Sequence, residues 1–204
     1  MIVVRYADDL VVGFESRTDA ERFLEEFREC LARFGLELNA EKTRLIRFGR
    51  FAALNRAEQG QGKPETFAFL GFTHHCGKRR SNGSFIVWRK TAKKRITAKL
   101  QGIKAELRRR MHEPIALVGE WLKRVVLGYY QSHAIPGNLD RLNVFRHRLR
   151  QFWAHVIHRR SQRSRLTWQR LNPLLDRWTP PPRVLHPYPM EWFAATIQGR
   201  SRMR

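Results

Sequence analysis

Apolar positions in the first fifty residues change from a strand-like to a helix-like spacing. Ile2-Val3-Val4 and Leu10-Val11-Val12 are short apolar, largely β-branched runs separated by Tyr6-Ala7-Asp8-Asp9, which predicts strand, turn, strand. Ala20, Phe23, Leu24, Phe27, Leu31 and Phe34 then recur at helical spacing. Thr18, with Glu21 three residues on, reads as a capping box, and Gly35 as the C′ residue that ends the helix. A short strand is expected over residues 43–48, then a Gly- and Gln-containing loop near 60–64. Residues 67–72 and 85–88 read as two strands of a hairpin joined through the basic, turn-rich Lys78-Arg79-Arg80-Ser81-Asn82-Gly83.

From residue 91 the pattern is helical. Ala92, Ile96, Leu100, Ile103 and Leu107 line one face of a helix whose other faces carry Lys93, Lys94, Arg95, Lys99, Lys104 and Arg108. Pro114 suits the first turn of a second helix with Leu117, Val118, Trp121, Leu122, Val125 and Val126 as its stripe. After the break at Pro136-Gly137, Asn138 can cap a third helix that buries Leu142, Phe145, Leu149, Phe152, Trp153 and Val156. Arg141, Arg146, Arg148 and Arg150 point away from that core. Thr167 starts a short fourth helix ending near Leu175, Pro180-Pro181-Pro182 imposes an extended segment, and the tail after Trp192 is expected to be loose. The fold class expected is α+β, divided as 1–90, a helical region over 91–178, and a Pro-rich irregular tail over 179–204.

Charge narrows the function. Forty Lys and Arg against eighteen Asp and Glu leave a net +22. The surplus is uneven: residues 1–90 hold 16 basic and 12 acidic side chains (+4), residues 91–204 hold 24 and 6 (+18). Such a surplus favours a polyanion, because each phosphate contact releases condensed counterions. An anionic membrane would attract it too, but the sequence has no apolar run long enough to span a bilayer, no signal peptide and no lipidation motif. Cys30 and Cys76 are the only cysteines, which makes no disulfide framework and fits a reducing cytoplasm. His74, His75 and Cys76 lack a second ligand pair at zinc spacing.

Adjacent carboxylates held in a tight turn by apolar strands suit a hard divalent cation such as Mg²⁺, two of which serve nucleotidyl transfer. An Asp pair is also ordinary surface-turn chemistry, so the motifs around it decide. Tyr6-Ala7-Asp8-Asp9 resembles the YxDD motif of reverse transcriptases. The stretch that follows the first helix, Gly35-Leu36-Glu37-Leu38-Asn39-Ala40-Glu41-Lys42-Thr43, resembles the GLxLNxxKT motif of the intron-encoded and bacterial branch, and Phe69-Leu70-Gly71-Phe72 resembles the FLGF of the primer-grip hairpin. In order and spacing these three are similar to the group II intron reverse transcriptase–maturases. More loosely, Gly128-Tyr129-Tyr130 and the basic–aromatic helices resemble the thumb or domain X of that family.

The resemblance implies an RNA-directed DNA polymerase with Mg²⁺ as cofactor, and intron RNA and an RNA/DNA primer–template as partners. Asp8 and Asp9 would be the metal-site carboxylates, Tyr6 would lie beneath the primer terminus, and Phe69, Leu70, Gly71 and Phe72 would hold the primer backbone. Lys42 matches a lysine that protonates pyrophosphate, though a structural lysine fits equally well. Lys93, Lys94, Arg95, Lys99, Arg146 and Arg150 would bind RNA, with Trp121, Tyr129, Tyr130, Phe152 and Trp153 either stacking on bases or serving as core. The family also needs an Asp from an earlier palm strand, and fingers, both upstream of YxDD. The sequence supplies neither, so a truncated product or a piece of a split enzyme, inactive alone, is expected, with a non-catalytic RNA-binding protein as the alternative. Its first strand and helix should then present apolar surface intended for an upstream-encoded fragment.

Overall fold

Five strands and six helices make up the described residues, 1–79, 81–160 and 167–186, of a computed structural model. In order these are β1 (Ile2–Tyr6), β2 (Asp9–Gly13), α1 (Arg17–Ala32), α2 (Ala52–Glu58), β3 (Phe67–Phe69), β4 (Phe72–Lys78), β5 (Phe85–Thr91), α3 (Lys93–Arg109), α4 (Ile115–His133), α5 (Leu139–Arg159) and α6 (Trp168–Trp178). The result is a mixed architecture of small antiparallel sheets and six helices, as the α+β expectation has it at that level. The chain forms two units, residues 1–70 with 74–87, and residues 71–73 with 88 onward. No helix among the described residues is long and apolar enough to cross a membrane.

In the first unit, β1 and β2 form an antiparallel hairpin in the register Ile2↔Gly13 to Tyr6↔Asp9. Helix α1 begins at Arg17 after Ser16, two residues before the expected cap, and Glu21 takes the Arg17 guanidinium at 2.7 Å instead of closing a capping box. Its other end is as expected. Gly35, at φ +67°, occupies the C′ position of a Schellman turn, its N–H donating to Ala32 O at 3.0 Å and that of Leu36 to Leu31 O at 3.0 Å. The strand expected over 43–48 does not form. The Asn39 side chain accepts the N–H groups of Glu41 and Lys42, each at 3.1 Å, and folds the chain into a turn just before it. Beyond that turn, backbone donors go to side chains: Arg47 N–H to Glu65 at 3.4 Å and Gly49 N–H to Cys76 Sγ at 3.3 Å. Glu65 also draws in Arg44 and Arg56, which fixes the unanticipated α2.

The expected strand 67–72 is broken in two. Leu70 and Gly71 have φ of +50° and +85°, the signature of a two-residue I′ turn, and β3, β4 and β5 follow one another in a three-stranded sheet. Arg80, in the expected loop between β4 and β5, lies outside the described residues.

The second unit holds most of the apolar core. Ile96, Leu100, Ile103 and Leu107 of α3 pack with Leu142, Phe145, Leu149 and Trp153 of α5 and with Val118, Leu122, Val126, Tyr129 and Tyr130 of α4. The α4 stripe is rotated from the expected one: Leu117 is 61% exposed, whereas both tyrosines are buried. Trp178 of α6 seals the far side against Gly119, where a Cβ would run into the indole ring. Helix α6 continues past Pro173 to Trp178, and residues 179–186 dock back on α4: Tyr130 Oη donates to Pro180 O at 3.1 Å and Leu185 N–H to Ala134 O at 2.9 Å. The tail expected to be loose after Trp192 lies outside the described residues.

One polar side chain is wholly enclosed at the joint of β5, α4 and α5. Asn138 precedes α5 but makes no capping bond; its amide is used across the fold. Its Oδ1 accepts the Thr91 N–H at 2.9 Å, and its Nδ2 donates to Thr91 Oγ1 at 2.6 Å and to His133 O at 2.8 Å. Removing that amide strands buried polar groups, at about 1–3 kcal/mol for each one left unpaired. Asn138→Ala is therefore expected to cost about 3 kcal/mol or more in urea denaturation of the chain, far above an exposed Asn→Ala change on the same helix such as Asn143→Ala. Equal costs at the two positions would show that the buried amide carries no special burden.

Candidate functional site

The hairpin brings Tyr6, Asp8 and Asp9 to one end. Tyr6 and Asp9 are the last cross-strand pair, so Ala7 and Asp8 are the two loop residues. Ala7 has φ +50°, the sign that a II′ turn requires at its first central position and that a non-glycine residue adopts only with strain. Arg5 Nε braces the bend by donating to Ala7 O at 3.1 Å. Both carboxylates are exposed, and neither has a hydrogen-bond or ion-pair partner among the described residues. Strong short-range backbone constraint thus presents two uncommitted carboxylates.

The hairpin beneath them is uncovered. Ile2, Val3, Val4 and Tyr6 are 72%, 53%, 46% and 64% exposed, so β1 buries no apolar face. A contiguous apolar surface of this kind marks an interaction site. On α1, Phe23 stacks on Phe27 at 5.5 Å and meets the tilted ring of Phe14 at 5.3 Å, a small local cluster just after the hairpin.

Oxygen donors of this type are what Mg²⁺ takes, but two neighbouring carboxylates fall short of a cation site. No group of three or more His, Cys, Asp or Glu side chains able to hold a metal occurs among the described residues. The residues present therefore do not complete a metal centre. Lys42 does not join them: it lies in the Asn39 turn, exposed, with no bond to Asp8 or Asp9 among the described residues.

The residues Phe69-Leu70-Gly71-Phe72 occupy the I′ turn, with Leu70 exposed at its tip. Gly71 suits this turn by its positive φ; a Cβ there would meet the Arg95 guanidinium, the movable end of a long side chain, at 2.5 Å.

The basic residues divide into committed and free. Arg146 donates to Thr179 O at 2.7 Å and to Asp176 at 2.5 Å; Arg150 donates to the same carboxylate and to Asn172 at 2.9 Å. Expected as RNA ligands, these two tie α5 to α6; desolvation raises the Asp176 carboxyl, and the hydrogen bonds and charges of Arg150 and Arg146 outweigh it and hold it below its ordinary pKa. At the end of α3, Arg109 and Arg110 hydrogen-bond Glu106 and hold it down at about 2. Lys93, Lys94, Arg95 and Lys99 differ. All four are exposed, and none has a carboxylate partner among the described residues. The first three stand in the first turn of α3, which has no acidic residue. Cations there oppose the positive end of the helix dipole, an arrangement that an external anion relieves.

The aromatics expected either to stack on bases or to form core belong to the core. Tyr129, Tyr130 and Trp153 are buried, and burial pushes both phenols up to about 12. Trp121 and Phe152 pack on the core edge beneath Arg110 and Lys104, at 5.0 and 5.2 Å.

A comparison with curated proteins returns no match. The part of the chain that holds the carboxylate hairpin is similar to a known family: residues 1–74 match the family model of the reverse transcriptases, RNA-dependent DNA polymerases.

Proposed function

We propose that this chain carries the carboxylate turn of an RNA-directed DNA polymerase of the group II intron maturase type, joined to a basic helical region that grips intron RNA and primer–template. The observation that carries the reading is the Tyr6–Asp9 turn, two uncommitted carboxylates on a braced hairpin inside the stretch that matches the reverse transcriptases. In this reading Tyr6 underlies the primer terminus, the 69–72 turn supports the primer backbone, and Lys42 serves as a proton donor to the leaving group. Mg²⁺ binding then needs a further carboxylate from a segment that packs on the exposed face of β1, and a chain without that segment does not polymerise. A second reading, RNA binding without polymerisation, draws on the same incomplete acid set and, separately, on the cations in the first turn of α3, which holds no acidic residue.

Primer extension separates the two. Alone, the chain is expected to give no extension of a DNA primer on an RNA template. Adding a fragment that supplies fingers and the further palm carboxylate restores it, and Asp8→Ala then abolishes it while RNA affinity stays within about twofold, because a turn carboxylate makes no phosphate contact. Efficient extension by the chain alone contradicts the incomplete-site reading. Tight RNA binding that no such fragment converts into extension supports the second.

The basic helix makes its own prediction. Replacing Lys93, Lys94, Arg95 and Lys99 with Gln should weaken RNA binding and lower the salt slope of log K by about 3, at roughly 0.7–0.9 per phosphate neutralised. Preference between two unrelated RNAs should hardly change, since phosphate contacts position a protein without reading bases. An unchanged slope in binding titrations at several salt concentrations places the RNA elsewhere.

A further inference from the structure

Within the second unit, Gly71, Phe72, the start of α3 and the end of α4 bring an aromatic ring, an imidazole and cations without carboxylate partners among the described residues into one region. Ala92 N–H donates to Gly71 O at 3.1 Å, which sets the first turn of α3 beside the bare Cα of Gly71 with the Arg95 guanidinium against it. The Phe72 ring lies 5.6 Å from the ring of His133, which stacks on Tyr129 at 4.2 Å. His133 Nδ1 is 3.0 Å from Tyr129 O. A carbonyl oxygen only accepts, so Nδ1 carries the proton of that bond and Nε2 is the nitrogen left to titrate.

Two free cations reach the same imidazole. Burial foremost, and after it the charges of Arg95 and Lys99, lower the proton affinity of His133 against the opposing pull of the Tyr129 carbonyl. Residues 88–105 contain seven Lys and Arg and no Asp or Glu. Arg95 and Lys99, which have no carboxylate partner among the described residues, next to an apolar ring wall match the anionic oxygens and the apolar sugar edge of a nucleic-acid strand.

Building on the nucleic-acid reading above, we infer that Arg95, Lys99 and His133 form a seat for one phosphodiester, walled by the Phe72 ring, and that His133 Nε2 takes up a proton from solvent as the phosphate arrives. While the seat is empty, two cations and burial keep the imidazole neutral. A bound phosphate cancels part of that field and favours the imidazolium. Binding and protonation therefore help each other, and by reciprocity affinity rises as pH falls. The rise begins as pH drops through the His133 pKa of the occupied seat and levels off below that of the empty one, which lies under 6.5. The charged groups that act on His133 from α3 are Arg95 and Lys99, Phe72 of β4 has no titratable group, and the Tyr129 phenol of its own helix, pushed up to about 12 by burial, is silent in that window.

The test is a titration of the full chain with a fluorescent RNA–DNA duplex at constant ionic strength from about pH 8 to pH 5. Wild type should gain about fivefold or more in affinity over that range, with net proton uptake measured by calorimetry in two buffers of different ionisation enthalpy. His133→Gln should lose most of both effects. Arg95→Gln with Lys99→Gln, on exposed positions that leave the core untouched, should weaken binding about tenfold at neutral pH and flatten the pH dependence too. This pair tests the seat independently if His133→Gln does not fold. Duplex binding whose pH dependence survives these substitutions overturns the seat while leaving the nucleic-acid reading intact. Absence of duplex binding at every pH overturns both. A His133-dependent response to phosphatidylserine vesicles but not to the duplex assigns the groups to a lipid surface and also overturns the proposal.

Discussion

The helical unit is held at its joint by the enclosed amide of Asn138, and the placement of its other parts follows from that constraint. Three hydrogen bonds run from one side chain to the end of β5 and to the last turn of α4. Because no water competes there, each bond made is modest in net value, but each one lost leaves a stranded group. The amide thereby fixes where β5 hands over to α3 and where α4 ends. Arg95 and His133 lie on those two stretches, and the Lys90–Asp140 pair, at 2.5 Å, reinforces the same joint from the surface.

Around this joint the fold sorts its cations. Arg146 and Arg150 are occupied by Asp176, and Arg109 and Arg110 by Glu106. The start of α3 is left with positive charge at the helix end where it is least comfortable. A fold that sets Asp176 and Glu106 against arginines, yet leaves the first turn of α3 without a carboxylate, keeps an attraction for a polyanion at that turn. A local electrostatic rule is broken where a partner would restore it, a pattern that marks functional surfaces.

Much of this was legible because it is local. The hairpin follows from two apolar runs and a four-residue spacer, Gly35 from its place after a helical stripe, and the α3 cations from the polar faces of a periodic segment. What stayed hidden depends on partners far away in sequence. Residues 43–48 have the composition of a strand, but Glu65, 18 positions on, takes the Arg47 N–H. Asn138 looked like a cap because its partner Thr91 is 47 positions away. Arg146 and Arg150 looked free because Asp176 lies 30 and 26 residues on. His133 gave no sequence signal at all, since its surroundings are assembled from three elements.

The helical unit buries its own apolar core, whereas the carboxylate hairpin leaves the apolar residues of β1 exposed. Its strands expose both apolar and polar side chains, so little opposes their local opening. Native-state hydrogen exchange of the full chain, read residue by residue, measures this most directly. Weak protection is expected for the amides of residues 2–13, and slow exchange, approaching the global limit, for the buried stretches of α3, α4 and α5. Protection in residues 1–48 that equals or exceeds that of residues 96–157 would contradict that expectation.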